Sequence, residues 1–189
     1  MTPLQAHRKK QLRQLPGETG VYVLCDLNEV PIYVGQSTDG IRARVLRHLT
    51  SARSDVIANR MLDVWEVAYV WAWPLEGKSQ IDHLEQFLYH RFNRKSKLMN
   101  GSIPANPGRL PFSEPQCQKV QILPTEEIGS RLRPEHRLPR QIAQFNQLMD
   151  YILMVKDAEH LRAALEAHFE RLSRYYHDFT NRQPDPDAD

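Results

Sequence analysis

Six side chains, met in the order Tyr22, Tyr33, Arg44, His48, Glu85 and Asn100, are of types that together could hydrolyse a phosphodiester. That reaction needs a water to be oriented and deprotonated, charge on the phosphoryl oxygens to be stabilised, and the leaving oxygen to be neutralised. A planar guanidinium matches phosphate oxygens. An imidazole can relay a proton near neutral pH. A tyrosine, with an ordinary pKa of about 10, acts as a base only with help from nearby positive charge. Arg44 and His48 are four residues apart, so a helix would set them on one face. Each also has a plainer reading: strand tyrosines, a surface arginine, a turn asparagine before Gly101. Asp82 and Asn106 are rivals to Glu85 and Asn100.

The elements that must position these groups follow from pattern. Pro3–Leu15 is predicted as a short basic helix, broken by Pro16-Gly17. Gly20–Asp26 and Val30–Gly35 are predicted strands joined by a turn at Leu27-Asn28-Glu29, a β-hairpin that carries both tyrosines. Asp39 can cap a helix running to about Arg53, with Ile41, Val45, Leu46 and Leu49 at helical spacing. Val64–Trp73 alternates like a central strand covered on both faces, and its tryptophans are read as core packing rather than base-stacking platforms. Ser79–Asn93 carries an apolar stripe of Ile81, Leu84, Leu88 and Phe92. Glu85 borders that stripe, where an unused carboxylate is costly. Residues 94–115 are loop-like, and Val120–Leu123 is a candidate further short strand. Gln141–Lys156 and Ala158–Phe179 form two amphipathic patterns, a helical hairpin that packs on the core or on a second subunit. Residues 183–189, rich in Pro and Asp, are expected to be a disordered tail.

Gly20-Val21-Tyr22 and Tyr33-Val34-Gly35, followed by Ile41-Arg42-Ala43-Arg44-Val45-Leu46-Arg47-His48, resemble the motifs of the GIY-YIG nuclease superfamily over residues 18 to 101. The resemblance implies an α+β fold: a small three-stranded antiparallel sheet flanked by helices, here with a C-terminal helical extension. The implied organisation is an N-terminal basic helix (1–17), a nuclease domain (18–123), a helical hairpin region (124–182) and the tail (183–189). By the same resemblance Arg44 would stabilise the phosphate and His48 would relay a proton or hydrogen-bond a tyrosine. Glu85 would be the single protein ligand of Mg²⁺ or Mn²⁺, which commonly uses few protein ligands. Asn100, fifteen residues beyond Glu85, would orient the site or touch the phosphate. Tyr22 and Tyr33 would activate the water, with Tyr22 favoured as the base-like one. Gln36 departs from the pattern, where many members have lysine, and one extra residue sits around Thr38-Asp39-Gly40.

Bulk properties fit that expectation. The chain has 189 residues, 41% hydrophobic and 25% charged, as in a soluble globular protein. No apolar run nears the ~18 residues of a membrane span. Thr2–Gln14 is too polar for a signal peptide, so a cytoplasmic location is expected. Cys25 and Cys117 are far apart and expected as free thiols, and no ligand cluster suits structural zinc. The net charge of +2 is uneven. Residues 1–60 hold nine Lys/Arg against five Asp/Glu (+4), residues 61–90 one against five (−4), residues 91–140 ten against four (+6), and residues 141–189 five against nine (−4). The basic segments suggest a polyanion surface, with Arg42, Arg47, Arg91, Arg94, Lys95 and Lys97 as candidate nucleic-acid contacts.

The leading expectation is therefore a divalent-metal-dependent endonuclease acting on DNA, of restriction or phage-defence type, with no membrane role. A homodimer through the C-terminal helices would let two sites cut a duplex. The alternatives are an RNase of the same fold and a non-catalytic nucleic-acid-binding or assembly module, for which Glu85 would have no use.

Overall fold

The β-branched residues around the two tyrosines build the centre of the molecule. The computed structural model describes residues 2–50 and 60–182. Strands β1 (Gly20–Cys25), β2 (Pro31–Ser37), β3 (Tyr69–Pro74) and β4 (Gln118–Gln121) form one antiparallel sheet in the order β2-β1-β3-β4. The helices are α1 (Pro3–Leu12), α2 (Ile41–Thr50), α3 (Lys78–Asn93), α4 (Thr125–Leu132), α5 (Pro134–Met154) and α6 (Glu159–Thr180). The class is α+β, but the sheet has four strands among the described residues rather than the expected three. The fourth is β4, which pairs with the outer side of β3 through Tyr69–Gln121 to Ala72–Gln118. The expected continuation of α2 to Arg53 and the tail 183–189 lie outside the described residues. Among those residues, no helix is long and apolar enough to cross a membrane.

Alternation divides the sheet into two faces. Tyr22, Leu24, Val70, Ala72 and Val120 point one way and join Ile41, Val45 and Leu49 of α2 with Leu148, Leu161, Ala164 and Ala167 of the C-terminal helices. Val21, Val23, Cys25, Val34 and Trp73 point the other way and meet Ile81, Leu84, Leu88 and Phe92 of α3. The sheet is thus sandwiched between helical layers. The C-terminal hairpin closes the core within the chain instead of forming a separate unit. Trp73 is almost wholly buried and Trp71 packs edge-on against it and Phe92, which is core packing as expected.

The predicted strand 64–73 is too long: its pairing begins only at Tyr69. Residues 63–67 turn instead. The Asp63 carboxylate accepts the Trp65 N–H at 3.0 Å, and the Glu66 and Val67 N–H groups bond back to the Asp63 and Val64 carbonyls. This turn docks the hairpin. Arg137 makes a bidentate pair with Glu66 (2.9 and 3.2 Å), sits near Asp26 and lies 3.9 Å over the Tyr175 ring. Arg140 grips Asp63 at 2.5 and 2.8 Å. The ion-pairing side chains of Arg137, Glu66 and Asp26 are nearly inaccessible to water, so removing one partner leaves the others charged and unsolvated.

Arg137→Ala is therefore expected to cost about 3–5 kcal/mol in chemical denaturation, whereas Arg137→Met combined with Glu66→Leu should come much closer to the parent. Equal losses in the single and double variants would show that the pair does not lock the hairpin.

Candidate functional site

The β1–β2 register sets Tyr22 directly across from Gly35, and Tyr33 across from Leu24, so the two tyrosines are diagonal neighbours on one face. Their rings are 6.2 Å apart. A Cβ on Gly35 would come within 2.5 Å of the Tyr22 hydroxyl and 2.8 Å of the Tyr33 ring. The glycine of the second motif is therefore a space reserved for a tyrosine. The glycine of the first motif answers a different need. Gly20 has φ +146°, and a Cβ there would strike the Trp73 carbonyl at 2.1 Å.

Helix α2 supplies the next two groups. Its N-terminal donors are met by main chain, with the Ile41 and Arg42 N–H groups bonding to the Glu18 and Pro16 carbonyls, so the bend at Pro16-Gly17 is the cap rather than Asp39. With α2 anchored this way, the i, i+4 spacing carries His48 against both tyrosines. Its ring centroid is 5.9 Å from that of Tyr22 and 5.7 Å from that of Tyr33. Arg44 lies one turn earlier.

The buried Tyr22 hydroxyl lies within hydrogen-bonding reach of the side chains of Arg44 and Tyr33, while Arg44 Nε, also buried, has no partner among the described residues. Buried polar groups are normally satisfied, so the Arg44 Nε–H is a donor left to offer a ligand. Burial, followed by the neighbouring Tyr33, pushes the Tyr22 phenol well above its usual range, and the Arg44 charge only partly opposes this. Tyr22 is thus a protonated hydroxyl in this environment.

Glu85 reaches the same edge from the other face of the sheet, on α3. Gln36, next to Gly35 on β2, donates its Nε2–H to Glu85 Oε2 at 2.9 Å. Burial, then the charge of Asp82, raise the Glu85 carboxyl to about 7, while the Gln36 hydrogen bond and the Arg44 charge pull it down. The Arg44 charge is therefore felt at both Tyr22 and Glu85, and links the two halves around the edge strand.

Asn100 bonds to backbone. Its Nδ2 donates to the Val34 carbonyl at 2.6 Å and its Oδ1 accepts the Val34 N–H at 3.1 Å, while the Met99 N–H bonds to Ile32 O at 2.8 Å. A side-chain amide thus continues the ladder on the free edge of β2, between Tyr33 and Gly35. The rival Asn106 caps only its own turn at Gly108.

The candidate nucleic-acid contacts separate into two sets. Arg42 is tied to the Leu15 carbonyl, Arg91 to Glu114 at 2.7 Å, and Lys97 to Glu166 and Glu170. Three of the six expected cations are thus engaged internally, Arg42 by a backbone carbonyl and Arg91 and Lys97 by acids of the 113–115 loop and α6. Arg47, Arg94 and Lys95 are exposed. The residue that spacing alone did not single out is Gln36. Its signal was present as strand alternation, since two residues after Val34 it must face α3.

A comparison with models of known families and with curated proteins finds no match for this chain. The geometry is therefore the evidence for function.

Two outcomes follow for Glu85. Its pKa is raised in the fold, so the native state holds a proton that the unfolded chain has released between about 4.5 and about 7. Stability without added metal should fall as pH rises through that interval, and Glu85→Gln should remove the dependence and stabilise the protein above pH 7 by on the order of 1–3 kcal/mol. Gln36→Ala should move the carboxyl midpoint, followed by carbon-detected NMR, further upward. A midpoint at the ordinary carboxylate value would contradict this description. For the motif glycine, Gly35→Ala should displace the Tyr22 ring and lower Tm, and an unchanged Tm with unshifted Tyr22 resonances would show the space to be unnecessary.

Proposed function

We propose that the protein is a GIY-YIG-type endonuclease that hydrolyses phosphodiester bonds in DNA with one divalent cation. The observation that carries this reading is the convergence of a buried tyrosine hydroxyl, an arginine whose buried Nε has no hydrogen-bond partner among the described residues, and a single carboxylate at one strand edge. A binding module has no need for a desolvated Glu85, whose ionised form costs stability.

The residues fit a hard cation such as Mg²⁺ or Mn²⁺. Glu85 and the amide of Gln36 are oxygen-bearing groups side by side, and magnesium is commonly held by one or two carboxylates with water and phosphate completing its shell. Among the described residues no cluster of three or more His, Cys, Asp and Glu side chains could hold a metal ion, so the cation would rest on Glu85 as its single carboxylate ligand. When bound, the cation supplies positive charge to the phosphate and lowers the pKa of its water. Gln36 holds the Glu85 carboxylate in place. Arg44 offers its fork to the phosphate oxygens and compensates their growing charge. Tyr22, kept protonated by burial, donates to a phosphate oxygen or to the water and orients it. Tyr33 is less buried, so it is the tyrosine better placed to meet the attacking water, with His48 packed against its ring to relay the proton. Asn100 acts through the strand, holding Tyr33 and Gly35 in register.

Supercoiled plasmid should be nicked or linearised with Mg²⁺ or Mn²⁺ and left intact with EDTA. Glu85→Ala should abolish cleavage, and Arg44→Ala should lower its rate on the order of 10²–10³-fold. Cleavage of a matched RNA in preference to DNA would move the substrate to RNA. Failure of the folded parent to cut either polymer would overturn the nuclease reading.

A further inference from the structure

Beside the candidate site runs an open groove between the end of β2, the start of α2 and the start of α3, lined by Gln36, Thr38, Asp39, Arg44, Arg47 and Lys78. We propose that this groove binds the sugar–phosphate backbone next to the scissile phosphate, with Arg47 and Lys78 on opposite walls holding the neighbouring phosphate. The inference rests on the nuclease reading and goes beyond it by assigning where the cleaved strand leaves the site.

Three observations carry it. First, the groove shares Gln36 and Arg44 with the site, so a strand seated at Arg44 must continue along it. Arg44 brings a buried Nε that has no partner of good geometry among the described residues. Second, two of its three cations are uncommitted. Among the described residues neither Arg47 nor Lys78 forms an ion pair, whereas Arg91, Lys97, Arg131, Arg133, Arg137, Arg140 and Arg162 all do. Among the described residues one acid, Asp39, lines the groove against three cations. Third, the spacing suits a chain of charges rather than one anion. Arg44 and Arg47 are separated by about 4.5 Å of helix rise and less than a full turn, so they succeed one another along α2. Lys78, exposed at the first position of α3, faces them from the other side where the helix begins with no side-chain cap. The positive end of that helix adds to the attraction. A polyanion fills such a track, because each neutralised phosphate releases condensed counterions.

The test measures binding without cleavage. In a Glu85→Gln background, a short duplex and the matching single strand are titrated by anisotropy over a range of salt. Arg47→Ala with Lys78→Ala is compared with Lys156→Ala, an exposed cation of the distant hairpin. When the two groove cations no longer neutralise the phosphate they share, the slope of log affinity against log salt should become shallower by about 0.9 for the duplex and about 0.7 for the single strand, and affinity should drop at every salt concentration, with the Lys156 variant unchanged. Binding with a slope equal in all variants would overturn the groove assignment while leaving the nuclease reading intact. An equal fall in the Lys156 variant would overturn it too, since the effect would then be general charge. No binding by any variant, together with no cleavage by the parent, would remove the nuclease reading and the groove with it.

Discussion

Everything at the candidate site depends on one close approach: the ring of Tyr22 lying across the bare backbone of Gly35. This antiparallel register lets Tyr22, on the interior strand β1, be fully buried while its ring reaches over Gly35 of the edge strand β2. That register fixes which residues of β2 face which helix. Tyr33 falls on the α2 side and Gln36 on the α3 side, and so a carboxylate on α3 can share an edge with a histidine and an arginine on α2. A slip of one residue would exchange the faces and separate all of them.

The edge strand needs bracing for this purpose. Among the described residues β2 pairs with a strand on one side only, and the site groups flank it on both faces. The chain braces it with the 98–100 segment, where Met99 supplies a backbone bond and Asn100 a side-chain imitation of one. This covers an otherwise open ladder with little bulk and leaves Gln36 partly exposed. Below it, the far ends of β1 and β3 are held by the buried Arg137–Glu66 pair, so the C-terminal helices stiffen the sheet from the side opposite α3.

The electrostatics of the site run against stability and in favour of chemistry. Glu85 is held near neutrality by desolvation and Asp82, and Tyr22 is kept protonated by burial. Both are states that a bound cation and a phosphate would rebalance, as is common where perturbed ionisation marks function. The basic segments seen in the composition contribute less than their count suggests. Arg42, Arg91 and Lys97 are engaged by internal partners, and of the remaining three candidate contacts Arg47 lines the groove beside Arg44.

The sequence by itself determined the local pieces. The hairpin with its tyrosines, the α2 face bearing Arg44 and His48, the apolar stripe beside Glu85 and the two C-terminal amphipathic helices were all legible, because each is written in periodicity and turn residues over a few neighbouring positions. It also carried the need for Gly20 and Gly35, though not the reason. Tertiary structure decided the rest. The strand 64–73 shrank to Tyr69–Pro74 because Asp63 and Glu66 answer to arginines more than seventy residues away. The sheet gained β4, because a four-residue strand has too little pattern to declare its partner. Gln36 became the holder of Glu85, Asn100 a brace for β2, and Pro16 and Glu18 the cap of α2. Those roles are relations between distant segments, and a sequence encodes them only through the packing that brings the segments together.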